Sequence, residues 1–208
     1  MYQSALRRAK TPLKTVLYLD NDDDTRDKYP QSDENLTRFD EPSRRSAKSF
    51  YWLLDKVQTP YFMVAPDDIE FMTDGWDEKL LANMPKDDMA LVSGYTTFKN
   101  SDGNFLGSMK WHRMIGLFPE NAFVHFGPDG WAIDVAKRAG RFTQCRDVII
   151  EHHHFKNKKA EYDETYRRAR SNNDSTNAQH YLDAHVIVRD AHAQLICDEI
   201  KRFEKEGK

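Results

Sequence analysis

Four short apolar runs constrain this chain more than any other feature: Val16 to Asp20, Tyr61 to Ala65, Leu91 to Tyr95 and Val148 to Glu151. Each is nearly continuous rather than alternating, the pattern of a strand buried on both faces. Helical or turn-rich stretches separate them. Phe50, Leu53, Leu54 and Val57 recur at the spacing of one helix face, which Thr59-Pro60 ends. Trp76 to Met84 reads as a helix stopped by Pro85, and a third, opening near Gly130, carries Trp131, Val135 and Ala139 and closes at Gly140. Residues 1–11 read as the end of a basic helix, Leu36 to Phe39 as a short strand, and Asn100 to Gly103 as a hairpin turn. The last element, Ala178 to Lys205, is expected to be one helix with Leu182, Val186, Leu195, Ile196, Ile200 and Phe203 along one side. Strands alternating with helices predict an α/β fold with a mostly parallel sheet flanked by helices.

Composition narrows the class. At 208 residues the chain can bury one sizeable core. A charged fraction of 31% and a mean hydropathy of -0.82 suit a polar surface, and no apolar run approaches the roughly 18 residues of a membrane span. The N-terminus has no apolar core of a signal peptide. Cys145 and Cys197 are too few for a disulfide framework and fit a reducing, cytoplasmic setting. A net charge of -3 provides no general attraction to nucleic acid.

In open α/β sheets, ligands bind beyond the carboxyl ends of the strands. Acidic or imidazole groups stand at three such ends: Asp20 with Asp22, Asp67 with Asp68, and His152 with His154. A carboxylate just past a buried strand, as Asp68 is, can hold a hard cation that bridges nucleotide phosphates; the ordinary alternative is an acidic turn. A strand alternates faces, so His152 and His154 point together and His153 away. They offer two imidazoles to a metal or phosphate, or hold a loop by hydrogen bonds. Arg44, Arg45 and Lys48 open the helix before the second run, where cations can meet a diphosphate or form a solvated basic turn. Trp111, Phe118, Phe123 and Phe126 are candidates for an acceptor pocket or for core, and the basic stretch 156–170 for a donor-closing segment or a solvated face. Asp129 can act as a general base or cap the helix that follows.

The segment Tyr61-Phe-Met-Val-Ala-Pro-Asp-Asp-Ile-Glu-Phe-Met-Thr-Asp-Gly-Trp-Asp77 resembles the metal-site segment of family-2-like GT-A glycosyltransferases, an apolar strand ending in a DXD-type motif. Val124 to Asp134 resembles the segment that presents the acceptor-side aspartate. Asp147 to His154 resembles the late strand that supplies a metal-binding histidine, and Leu17 to Asp22 the strand whose terminal Asp contacts the donor base. The likeness spans roughly residues 5–165. Such domains usually open with a further buried strand. No apolar run precedes the first helix here, so either that strand is missing from this sequence or another segment replaces it.

The resemblance implies a metal-dependent, inverting transfer of a sugar from a nucleotide-diphosphate donor to a hydroxyl acceptor. It implies Mn²⁺ or Mg²⁺ held by Asp68 with His152 or His154, and Asp67 on ribose or metal. Asp129 is then the base, and Asp20, Asp22, Arg44, Arg45 and Lys48 contact the donor. A glycan, a modified nucleobase in DNA or a protein stays open as acceptor. Residues 1–170 are expected to form the catalytic domain and 171–208 a helical extension packed on it. A nucleotidyltransferase, which would normally carry a Gly-rich basic loop absent from this sequence, and a non-catalytic nucleotide- or glycan-binding module are the rival readings.

Overall fold

The computed structural model describes residues 1–44, 46–97, 103–119, 121–124, 126–162, 167 and 174–207. Its strands fall into two sheets. The first apolar run forms β1 (Thr15–Asp20), which pairs in parallel with β2 (Leu36–Glu41), Thr15 opposite Leu36 through Asp20 opposite Glu41. The second sheet contains β3 (Tyr61–Met63), β4 (Ile69–Phe71), β5 (Leu91–Thr96), β6 (Phe105–Ser108) and β7 (Phe142–His152), in the order β3-β6-β5-β7-β4.

The fold is α/β, but the expectation of one mostly parallel sheet is corrected. The larger sheet is mixed, with β5 and β7 its one parallel pair, and β1 lies outside it. Connection length explains the directions. A parallel crossover needs a dozen or more residues; β5 and β6 are joined by the shorter stretch 97–104 and pair antiparallel. The hairpin turn expected at 100–103 lies outside the described residues except for Gly103. A similar argument shows that the sheet curls. β3 and β4 occupy opposite edges, which in a flat five-stranded sheet stand about 19 Å apart. Residues 64–68 could span roughly 20 Å only at full stretch, yet they contain a turn at Asp67-Asp68. The edges must therefore approach each other, and this turn bridges them.

Helices cover both faces of the larger sheet. They are α1 (Tyr2–Arg8), α2 (Ser46–Leu54), α3 (Trp76–Leu81), α4 (Met109–Ile115), α5 (Pro128–Arg138), α6 (Asp174–Ala184) and α7 (Val186–Lys205). On one face Phe62, Leu91 and Phe105 pack with Trp111, Trp131, Ile196 and Ile200. On the other, Ile69, Phe71, Val92, Val148 and Ile150 pack with Ala5, Trp76 and Leu80. Each fully buried aliphatic or Phe side chain is worth about 1.5–3 kcal/mol. The C-terminal part is two helices rather than one, divided at His185. Ile196 and Ile200 are buried, whereas Leu195 is 50% exposed and Val186 37%, so the expected single apolar side does not form. Arg189, buried, donates to Asp134 of α5 at 2.5 Å and lies over Trp131, tying α7 to α5. The boundary expected at 170/171 lies outside the described residues. Among the described residues no helix is long and apolar enough to cross a membrane.

A bulge sets which side chains of β7 face inward. The β5–β7 register slips between Gly94 and Tyr95, from Gly94 opposite Cys145 to Tyr95 opposite Ile149. An odd slip moves every later side chain to the other face. Cys145 is buried before it; Val148 and Ile150 are buried after it. Glycine is required at the slip, because a Cβ on Gly94 would stand 2.8 Å from Ile150 Cδ1 and 2.9 Å from the Val148 carbonyl oxygen.

Candidate functional site

β3 runs antiparallel to β6 and β6 antiparallel to β5, so β3, β5 and β7 point the same way. Their carboxyl ends gather the Asp67-Asp68 turn, the chain after Thr96, and His152. Ile69 opposes His152 across the β4–β7 ladder, and the His153 N–H donates to the Asp68 carbonyl at 2.7 Å. This pairing holds the turn against the end of β7. Asp68 Oδ2 and His152 Nε2 meet at 2.9 Å, with side-chain exposures of 31% and 15%. His154 lies beside His152, ring centroids 5.4 Å apart, and packs on Phe155. The carbonyl of His152 accepts from the Asn157 side chain at 2.6 Å.

The geometry suits a cation. Two ligand atoms each about 2.1 Å from an octahedral ion stand about 3 Å apart on neighbouring vertices. The 2.9 Å between Asp68 Oδ2 and His152 Nε2 is a direct hydrogen-bond contact between the two side chains, and it is close to that ligand spacing. A mixed carboxylate and imidazole pair favours a transition ion such as Mn²⁺ over Mg²⁺, which prefers oxygen.

Acidic groups crowd around this turn. Tyr29, which the sequence did not single out, donates its hydroxyl to Asp67 Oδ2 at 2.5 Å. Burial raises its pKa most, then the bond to Asp67, then the charges of Asp67, Asp23 and Asp68. One phenol thus reports three carboxylates within electrostatic reach. It also pins the loop after β1 over the Asp67-Asp68 turn. Asp20 closes β1 and is half-buried; Asp22, in that loop, is exposed.

Asp129 stands in the first turn of α5, exposed. The N-cap is Gly127 at φ 102°, so the capping role is corrected: the helix begins at Pro128, one residue ahead of Asp129. Among the described residues the Asp129 carboxylate makes no hydrogen bond. It packs against Gly103, where a Cβ would come within 2.7 Å of Oδ2, and so lies beside the chain that enters β6.

Other candidates fall elsewhere. Arg44 and Lys48 line a separate pocket of about 780 Å³ with Tyr51, Trp52 and Phe123. Arg44 pairs with Glu41 at 3.5 Å and lies over the Trp52 ring. Among the described residues no contact joins Arg44 or Lys48 to Asp67, Asp68 or His152. Arg45 lies outside the described residues. Of the aromatics, Trp111, Phe118 and Phe123 are core and Phe126 is 39% exposed. Of the basic stretch 156–170, residues 163–166 and 168–170 lie outside the described residues; Lys159 pairs with Glu151.

Glu70, Glu151 and His153 form a second acid–imidazole cluster, with ligand atoms within 4.8 Å of one another. Glu70 opposes Glu151 in the ladder, on the face away from Ile69, Phe71 and Ile150. The sequence concealed it, because β4 is three residues long and Glu70 resembles any exposed glutamate.

The Thr73-to-Asp77 part of the quoted segment does structural work. Trp76 stacks on Phe71, ring centroids 4.2 Å apart, and donates to the Ala5 carbonyl at 3.0 Å. Asp77, buried, accepts from the backbone N–H groups of Lys10 and Thr11 and from the Thr11 hydroxyl, at 2.6 to 3.1 Å. Burial pushes its pKa up, but these bonds outweigh it and hold the carboxyl below its ordinary value. No family model and no curated protein matches the chain.

Proposed function

We propose that this chain is a metal-dependent glycosyltransferase of the GT-A type, moving a sugar from a nucleotide-diphosphate donor to a hydroxyl acceptor. The observation that carries the reading is the 2.9 Å approach of Asp68 and His152 at the shared carboxyl end of three strands. A divalent cation bound there supplies charge neutralisation for the leaving diphosphate. Asp68 and His152 hold it, with His154 alongside. Asp67, already bonded to Tyr29, orients the turn and reaches toward ribose. Asp20, at the end of β1, and Asp22, in the exposed loop after it, would contact the donor base. Asp129 takes the proton of the acceptor hydroxyl, and its exposed carboxylate supports that role.

Thermal-shift measurements with a panel of nucleotide sugars and Mn²⁺ would identify the donor, followed by transfer and donor-hydrolysis assays. Stabilisation by one nucleotide sugar that requires Mn²⁺ is expected. Asp129→Asn should then lower transfer about 10²- to 10⁴-fold while leaving donor binding and melting temperature unchanged. If no nucleotide sugar binds with Mn²⁺, the reading fails. A non-catalytic binding module is the second reading, favoured by the break between the two sheets; donor binding without hydrolysis or transfer would select it.

A further inference from the structure

An exposed row of apolar side chains crosses β5, β7 and the end of β4, and it runs up to Asp129. Tyr95 opposes Ile149 in the β5–β7 ladder. Phe71 opposes Ile150, so Met72 stands level with Ile149 and donates its N–H to the Ile149 carbonyl at 3.0 Å. Opposed residues share a face, and Tyr95, Ile149 and Met72 are 46%, 42% and 39% exposed. Their face is the one that turns Leu91 and Phe105 into the core beneath α5. Phe71, Val148 and Ile150 occupy the other. Carried on by two residues, the β5–β6 register that sets Ser93 opposite Phe105 brings Gly103 level with Tyr95. A Cβ on Gly103 would stand 2.7 Å from Asp129 Oδ2, so this carboxylate closes the row at that end.

A polar row borders the apolar one. Glu70 and Glu151, two residues from Met72 and Ile149, share that face and oppose each other, with His153 beside them. Lys159 pairs with Glu151, and His153 Nε2 stands 3.5 Å from Glu70. Contiguous exposed apolar groups rimmed by polar ones mark a binding surface, and the two rows select what binds. Three carboxylates against one ammonium offer a polyanion no attraction. A cationic peptide would have to displace Lys159 from Glu151. Carboxylates that already carry partners still hold lone pairs for O–H donors. A ligand with C–H faces and a rim of hydroxyls satisfies both rows without bringing a charge. That is the chemistry of a neutral sugar.

We propose that this face binds a neutral oligosaccharide. Sugar rings lie along Tyr95, Ile149 and Met72, and their hydroxyls donate to Glu70 and Glu151. From Gly103 to Met72 the row follows the strand order β6-β5-β7-β4, about 14 Å at the usual strand spacing, more than a single ring covers. Calling this saccharide the acceptor, rather than a DNA base or a protein, rests on the transferase reading, in which Asp129 takes the acceptor proton. The binding itself does not.

The test is titration calorimetry of the full chain, without metal or nucleotide sugar, against neutral pentasaccharides of glucose, N-acetylglucosamine, mannose and galactose. At least one should bind, and Tyr95→Ala should weaken it about tenfold or more. Melting temperature and far-UV circular dichroism should not change, because the side chain is exposed. Ile149→Ser, exposed as well, should also weaken the same ligand, and it guards against a misfolded first variant. Binding by none of the pentasaccharides, or binding that neither substitution weakens, would overturn the proposal. So would a single-stranded oligonucleotide or an oligolysine peptide that binds more tightly and loses affinity with Tyr95→Ala. Mn²⁺-dependent donor binding is read separately. Its failure alone would remove the acceptor role and leave the saccharide site; failure of saccharide binding alone would leave the donor site.

Discussion

Asp68 and Asp77 stand nine positions apart in one segment and sit in opposite surroundings. Asp77 is 3% exposed and saturated by the protein's own donors, so it fastens the N-terminal segment to α3. Asp68 keeps a partly exposed side chain at the carboxyl end of the sheet, where it meets an imidazole. Solvent access and the identity of the partners separate the proposed ligand from the clamp. Residue type does not.

Substituting each in turn should break the comparison cleanly. Asp68→Ala should remove Mn²⁺-dependent donor binding, a loss of at least about 100-fold, with the melting temperature nearly unchanged; titration calorimetry with Mn²⁺ and donor reads this. Asp77→Ala should do the reverse. It leaves buried N–H groups without an acceptor and costs about 2–5 kcal/mol, read by urea denaturation, while the remaining folded protein binds Mn²⁺ normally. Equal effects of the two on binding would erase the distinction.

Acid sharpens it. The Asp77 carboxyl is held below its ordinary value, so its contribution is complete above that value and is lost as pH falls through the folded one. Stability curves of wild type and Asp77→Ala should therefore converge as pH falls below about 4 and stay apart at neutral pH. The smallest effect is expected on the far face of the ladder, where Lys159 already neutralises Glu151. Glu151→Gln should change Mn²⁺ affinity by no more than about two- to threefold. A larger loss would move the cation to Glu70, Glu151 and His153.

Much of this was readable from residues alone, and the rest failed for identifiable reasons. The runs at Val16, Tyr61, Leu91 and Val148 are strands because they are apolar, short and bounded by breakers. His152 and His154 do lie side by side, but β7 ends at His152, so strand alternation does not account for the position of His154. Which face receives that pair depends on the slip at Gly94, a long-range event without a local sequence signal. The first half of β7, Phe142 to Arg146, mixes polar and apolar residues and pairs because β5 lies beside it. Tyr29 escaped notice because a lone tyrosine in an acidic loop points nowhere until Asp67 is opposite it. Strand directions were misjudged because the runs alone do not reveal how short the stretch from β5 to β6 is once β6 begins at Phe105.

The position of α7 in the chain has a consequence for biosynthesis. Ile196 and Ile200 complete the same core as Leu91, Trp111 and Trp131, yet they are synthesised after all three. While translation proceeds at about 5–20 residues per second, the apolar face of α5 around Trp131 waits for seconds without the cover of α7. A nascent chain of this kind depends on whatever shields that face in the interval, and a message cut short before the codon for Val186 would release a product with Trp131 turned toward solvent and toward its neighbours.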